Sequence, residues 1–318
     1  MQAAFPVPRE AAPCGSTKSV DQHILVATGL LIVSGDLMRP AFRSPPTRTN
    51  RSIEETVFNG SLAEAATWFQ GRTALVTGAS SGIGYGIATA LGLAGTHVGV
   101  NYCKNREGAE SAVAEITAGG GQAVAIQADV SCAEDVERMF GELEAACGQC
   151  LDMLVNNSGQ WMQRQPIVEC SDEIFDQMWK VNARSVFLCC RAAARKMIAQ
   201  KEGVIVNMGS VVGHSGGGGG TVPYAAAKAA VNTFTRGLAR ELGPHGIRVN
   251  AICPGVVNTP MTAGRIKPAA REAVINMTPL RRFGEAHEIA RGVLSLLSPA
   301  CSFVSGTILD IDGGYITR

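Results

Sequence analysis

No apolar run in this chain approaches the roughly 18 residues that a membrane-spanning helix needs; the longest in its N-terminal part is 24–33, ILVATGLLIV. An excess of one charge is lacking too. The formal net charge is +1, so neither a basic surface for nucleic acid nor an acidic solvating tail is indicated. Charged residues make up 17% against 46% hydrophobic ones, which excludes wholesale disorder and predicts a sizeable core. A disulfide framework is missing as well. The ten cysteines are scattered, several in apolar settings such as VFLCC and NAICPG, where a thiol packs as a small hydrophobe. That usage points to a reducing compartment, the cytoplasm. Cys147 and Cys150 form a C-x-x-C, but no second pair completes a zinc site, and Gly148 between them reads as a helix terminus. The five histidines show no ligand spacing, so no metal is expected, and His214 reads as an exposed loop residue.

Residues 1–66 show no sustained period of 2 or 3.6. They read as an irregular extension, disordered or the product of a mis-assigned start for which Met38 is the internal alternative. Within it, 39–52 carries Arg39, Arg43, Arg48 and Arg51 with prolines and no acid. A targeting peptide fits less well, because Glu10 and Asp21 spoil its acid-poor pattern. A single catalytic domain is expected over 67–318. There the text alternates. Strands are predicted at 73–77, 97–102, 122–130, 151–157, 203–209, 247–255 and 307–314. Helices are predicted after the first strand and at 106–120, 133–146, 172–200, 224–242 and 285–298. Continuous apolar strands separated by amphipathic helices predict an α/β fold: a doubly wound, seven-stranded parallel sheet of the Rossmann-like type.

VTGASSGIG joins the first strand to the first helix. Glycines at 78, 82 and 84 let the backbone turn tightly and approach a pyrophosphate, while a helix N-terminus offers unpaired N–H donors and partial positive charge. Ser80 and Ser81 add hydroxyls, and Ile83 lies within the same turn. No Asp or Glu occurs between Gly78 and Arg106, so the acid that would bind the ribose hydroxyls of NAD is absent from the end of the second strand. Tyr102 stands in its place, followed by Lys104, which could reach a 2′-phosphate. NADP is therefore the expected cofactor, with NAD possible.

GSVVGHSGGGGGTVPYAAAK runs from Gly209 to Lys228. Five glycines cannot build an element, yet they are bracketed by Ser210 and by Tyr224 and Lys228, which lie four apart on one helix face. A phenol titrates near ~10, and an adjacent ammonium is expected to bring it down so that it can exchange a proton with a carbonyl oxygen. Ser210 would hold the same oxygen.

The spacing T-G-x-x-x-G-x-G, with Ser210, Tyr224 and Lys228 in order, resembles the short-chain dehydrogenase/reductase family over residues 72–318. The resemblance implies that Asp129 contacts the adenine edge with Val130 beside it, and that Asn156 of NNSG, where relatives have N-N-A-G, lies near the ribose. It implies that Lys228 binds the nicotinamide ribose, that Asn182 supports a water-mediated proton path, and that the Val257 backbone and Thr259 hydroxyl in PGVVNTPM (Pro254 to Met261) orient the carboxamide, with Pro254 and Gly255 opening that loop. A mobile lid is expected over 261–280. Trp161, Met162, Met261, Ile266, Met277 and Leu280 are candidate pocket residues. The expected activity is hydride transfer between NADP(H) and a carbonyl or secondary alcohol, with a small-molecule substrate and a homotetramer or homodimer pairing through 172–200 and 224–242. Two alternatives are a 3-oxoacyl-carrier-protein reductase and a non-catalytic dinucleotide-sensing regulator. Leu188 and His245 stand where such reductases often carry arginine, which weighs against the first; retention of Tyr224 and Lys228 weighs against the second.

Overall fold

The computed structural model describes residues 67–148, 151–161, 164–263 and 266–316. The extension expected over 1–66, Cys150 of the C-x-x-C and the pocket candidate Met162 lie outside the described residues. Strand β1 (Thr73–Val76) leads into helix α1 (Gly82–Leu93), then β2 (His97–Tyr102), α2 (Arg106–Ala118), β3 (Gln122–Gln127), α3 (Ala133–Cys147) and β4 (Met153–Asn156). The second half runs α4 (Asp172–Trp179), α5 (Ser185–Gln200), β5 (Gly203–Met208), the short α6 (Val212–Ser215), α7 (Val222–Leu242) and β6 (Ile247–Pro254). A small pair, β7 (Val257–Asn258) and β8 (Gly284–Glu285), brackets α8 (Pro268–Met277). Helix α9 (Ala286–Leu297) and β9 (Ile308–Ile311) complete the chain.

Seven strands pair in parallel in the order β3-β2-β1-β4-β5-β6-β9. The chain thus builds outward from β1 in one direction and from β4 in the other, and a crevice opens where the order reverses. Neighbouring strand residues serve opposite faces. Val76, Val204 and Val206 join a core with Ile87, Leu91, Ile116, Ile289 and Val293 of α1, α2 and α9. Leu75 and Ile205 join one with Met139, Leu143, Met197 and Val231 of α3, α5 and α7. This is why the strands read as unbroken apolar runs. Gly148 ends α3 in the left-handed conformation at φ 58°, as its sequence position predicts. Among the described residues no helix is long and apolar enough to cross a membrane.

The structure corrects one helix. The stretch predicted as continuous over 172–200 is broken by a π-helical turn at Lys180–Arg184. The Asn182 amide donates to the Met178 carbonyl at 2.9 Å, and the Ser185 hydroxyl donates to Val181 at 2.6 Å, so side chains engage carbonyls of the turn before them.

A buried polar ladder ties sheet to helix beneath the crevice. Asn156 on β4 donates to Asn207 on β5 at 2.9 Å. Asn207 donates to the Thr235 hydroxyl on α7 at 3.0 Å, and that hydroxyl donates to Val231 at 2.8 Å. All three side chains are buried. Thr235→Val keeps the shape and leaves a buried Asn207 N–H without its acceptor, so it is expected to cost about 1–3 kcal/mol, read as a lower urea midpoint at unchanged m-value.

Candidate active site

The carboxyl ends of β1, β4, β5 and β6 face one crevice, and the sequence-predicted residues gather there from separate elements. Gly78 and Gly82 have φ of 61° and 58°, a region that favours glycine. Gly84 is constrained by space instead. A Cβ on it would lie 2.3 Å from Asn157 Nδ2 and 2.4 Å from the Gly78 carbonyl oxygen. Three asparagines pin this loop. Asn101 accepts from the Gly78 N–H at 3.1 Å, Asn157 donates to the Thr77 and Gly78 carbonyls at 2.9 and 3.1 Å, and Asn105 donates to the Ser80 carbonyl at 3.0 Å. The loop opens α1, whose first turn carries no acid and whose N-cap residue, Ser81, makes no side-chain cap bond. A cradle that a single Cβ would fill, at a helix N-terminus free of negative charge, fits a dinucleotide pyrophosphate.

Sequence reasoning missed Asn101, Asn105 and Asn157. Of the NNSG doublet it is Asn157 that meets the glycine loop, while Asn156, expected near the ribose, is buried and donates to Asn207. Nothing in the local sequence marked Asn101.

At the end of β2, Tyr102 is buried, while Lys104 is exposed. Arg106 is engaged with Glu110 at 2.7 Å. Asp129 is exposed and its carboxylate accepts from the Ser131 N–H at 2.9 Å; Val130 packs into the core. Pro254 ends β6. A Cβ on Gly255 would lie 2.8 Å from the Asp312 Cα, so only glycine passes there. Val257 is buried on β7, and its carbonyl accepts from the Thr262 hydroxyl at 2.7 Å. The Thr259 side chain would meet a Cβ on Gly82 at 3.3 Å, which sets this loop against the glycine turn.

The groups expected to react converge next to it. Lys228 is 3% exposed, and its ammonium donates to the Met208 carbonyl at 2.8 Å and lies 5.9 Å from the centre of the Tyr224 ring. Asn182, fully buried in the π turn, accepts from the Gln160 N–H and donates to the Gln160 carbonyl, both at 3.0 Å. Between them sits Gly159, where a Cβ would lie 3.0 Å from Asn182 Oδ1 and 3.2 Å from Lys228 Nζ. The glycine run that follows Ser210 turns with φ between 55° and 85° at Gly216, Gly217, Gly219 and Gly220.

The expected electrostatics need correction. Burial pushes the Tyr224 phenol up to about 12, and a hydrogen bond from the Ser210 side chain pulls it back only in part. Burial likewise brings Lys228 down to about 8. In the protein alone, withdrawal from water is the largest influence on both groups.

One further expectation changes. His214 is not an exposed loop residue; it lies half-buried in α6 with Nε2 2.9 Å from Asp310 Oδ1. Within the segment expected as a lid, 268–277 forms α8, where Arg271 donates to Asn258 at 2.9 Å and stacks on Phe283 at 4.2 Å. Met261, Met277 and Leu280 are exposed, Ile266 is half-buried, and half-buried Trp161 carries Arg164 over its ring at 4.5 Å.

A family profile described as enoyl-(acyl carrier protein) reductase matches residues 78–316. The chain belongs to the short-chain dehydrogenase/reductase family. It is 38% identical over 243 residues to 3-oxoacyl-[acyl-carrier-protein] reductase FabG of Staphylococcus aureus, covering 76% of this chain and 97% of that protein. A dehydrogenase/reductase structure from Sinorhizobium meliloti is 38% identical with a TM-score of 0.74, covering 80% and 100%. A 7α-hydroxysteroid dehydrogenase, complexed with NADH and 7-oxo glycochenodeoxycholic acid, is 32% identical with a TM-score of 0.76, covering 80% and 98%. As a short-chain dehydrogenase/reductase, this chain is an NAD(P)-dependent oxidoreductase.

Proposed function

We propose that the chain is a carbonyl reductase or secondary-alcohol dehydrogenase that prefers NADP(H), with Tyr224 as its general acid/base. The observation that carries this reading is the convergence of Ser210, Tyr224, Lys228 and Asn182 beside the glycine turn at the carboxyl edge of the sheet. A nicotinamide dinucleotide held at this site would supply the chemistry of hydride transfer to a carbonyl carbon or from a carbinol carbon. The Ser210 hydroxyl fixes the substrate oxygen. The Tyr224 phenol gives that oxygen a proton as negative charge develops on it, and takes the proton back in the reverse direction. Lys228 holds the ribose side of the cofactor and, with Asn182 and the Gln160 carbonyl around Gly159, frames a route for proton exchange with water. Gly78, Ser80, Ser81, Gly82, Ile83 and Gly84 receive the pyrophosphate. Asp129 and Val130 border the adenine, and Pro254, Gly255, Val257 and Thr259 border the nicotinamide.

Two features support NADP: the acid-free stretch from Gly78 to Arg106 and the exposed Lys104 at the end of β2. A second reading, 3-oxoacyl-carrier-protein reduction, is favoured by the S. aureus relative. One argument against it falls away, because Leu188 is 3% exposed and packs in the core, where no carrier protein could touch it. His245 remains exposed. We also propose a homodimer or homotetramer. On α4 and α5, Phe175, Trp179 and Phe187 are exposed apolar side chains of the kind that partners cover, the first two stacked at 6.1 Å.

Initial rates by nicotinamide absorbance, across simple ketones and a 3-oxoacyl thioester, are expected to favour NADPH over NADH. Lys104→Ala should narrow that ratio about tenfold; an unchanged ratio removes Lys104 from phosphate recognition. Tyr224→Phe should lower kcat by a factor of at least ~10³ with cofactor affinity nearly intact. In the native chain, alcohol oxidation needs the phenolate and should climb with pH through 7–9, while reduction, which needs the neutral phenol, should fall only as Lys228 loses its charge near pH 8. A pH-independent oxidation rate there would exclude the phenol as base. Light scattering should give a mass two or four times that of the chain.

A further inference from the structure

Three side chains without a role in the reaction meet behind the Ser210 turn. Cys253 on β6 and Asp310 on β9 are direct cross-strand partners, so both project from the same face of the sheet. His214 descends on them from α6, which begins two residues after Ser210. Its Nε2 lies 2.9 Å from Asp310 Oδ1, and one ligand atom from each of the three lies within 4.8 Å of the other two. Cys253 is wholly buried, while His214 and Asp310 are partly open. Imidazole nitrogen, sulfur and carboxylate oxygen are the mixed donor set that zinc takes at about 2.0–2.3 Å. Such a tetrahedron has edges of roughly 3.3–3.8 Å, so the His214–Asp310 pair would have to open slightly while any longer ligand separation, up to 4.8 Å, closes by about 1 Å.

A fourth residue points to sulfur in its anionic form. Asn232 is 3% exposed, and its Oδ1 accepts from the Cys253 thiol at 3.4 Å. Its Nδ2 has no hydrogen-bond partner among the described residues. A neutral thiol sulfur is only a weak acceptor, so against it the buried Asn232 N–H group is poorly satisfied. Against a thiolate the amide can turn over and donate to sulfur, leaving only the less costly carbonyl unpaired. The Ser210 backbone N–H already donates towards the same sulfur. Burial and the Asp310 carboxylate push the thiol up to about 11 and hold it neutral in the metal-free protein, so its proton leaves only when a cation takes its place. The Ser210 N–H and the turned Asn232 amide then both face the sulfur.

We propose that His214, Cys253 and Asp310 bind one thiophilic divalent cation of the zinc type, with water as fourth ligand. Binding opens the His214–Asp310 hydrogen bond and displaces the Cys253 proton to solvent, with no change of oxidation state. The cation would join β6, β9 and the turn that carries Ser210, and so stabilise the folded chain. The sequence hides this site because its ligands come from three distant segments.

The test uses the full chain stripped with a chelator. Titration with Zn²⁺ against a chromophoric chelator should give one equivalent per chain, and Zn²⁺ should raise Tm. Co²⁺ in its place should give an intense near-ultraviolet thiolate-to-metal band. His214→Gln and Asp310→Asn, checked for native circular dichroism, should each weaken Zn²⁺ binding at least tenfold and abolish the Tm shift. Cys253→Ser should remove the cobalt band, and Cys147→Ser should leave it intact. Substoichiometric binding, binding indifferent to His214→Gln, or a band that survives Cys253→Ser or disappears with Cys147→Ser overturns the proposal.

Discussion

One buried amine organises this site. Lys228 is 3% exposed, and a cation taken that far from water must be met by hydrogen-bond acceptors or it loses its proton. The Met208 carbonyl at 2.8 Å supplies the direct contact. The other side of the amine is closed by Gly159, where a Cβ would crowd both Lys228 Nζ and Asn182 Oδ1. Asn182 can stand there only because the helix unwinds into a π turn, which brings its amide onto the Met178 and Gln160 carbonyls at once. A lysine, a glycine and a helix defect from three parts of the chain are thus one packing solution. Relaxing any of them would admit water to the amine or push it from its carbonyl.

The sheet makes that solution possible. Because β4, β5 and β6 lie side by side in register, the ends that carry Gly159, Met208 and the 254–259 loop arrive at the same level. The Asn156–Asn207–Thr235 ladder then fixes α7, and with it Lys228 and Tyr224, against β4 and β5. Gly213 completes the contact from the other side. A Cβ on it would come within 2.9 Å of the α7 backbone at Lys228 and Ala229, so the turn after Ser210 lies directly on the helix of the phenol.

This explains what could be read from the sequence. Strand positions were legible because both faces of the sheet are covered, which makes each strand a continuous apolar run. The glycine turn was legible because positive φ and a missing Cβ leave a mark in composition. Tyr224, Lys228 and Ser210 were legible from order and spacing. Side-chain direction was not. Asn156 and Asn157 are adjacent and chemically identical, and only the pleat decides which one meets the glycine loop. The π turn was hidden because Asn182 sits in an otherwise regular helical pattern. His214 looked like a loop residue because its partner, Asp310, lies at the far end of the chain.

Charge was the hardest property to read, since proximity and burial act in opposite directions. Four residues of spacing put Tyr224 and Lys228 on one face, and in water that would favour the phenolate. In the folded chain both groups lose solvent together, so the phenol rises to about 12 while the amine falls to about 8. Burial thus adds to a preference for the neutral phenol that free tyrosine already has at pH 7. In the role proposed for Tyr224, the resting phenol is in its proton-donating state. Taking a proton from an alcohol has to overcome this same burial, so the desolvation that holds Lys228 against its carbonyl also sets the charge of the phenol.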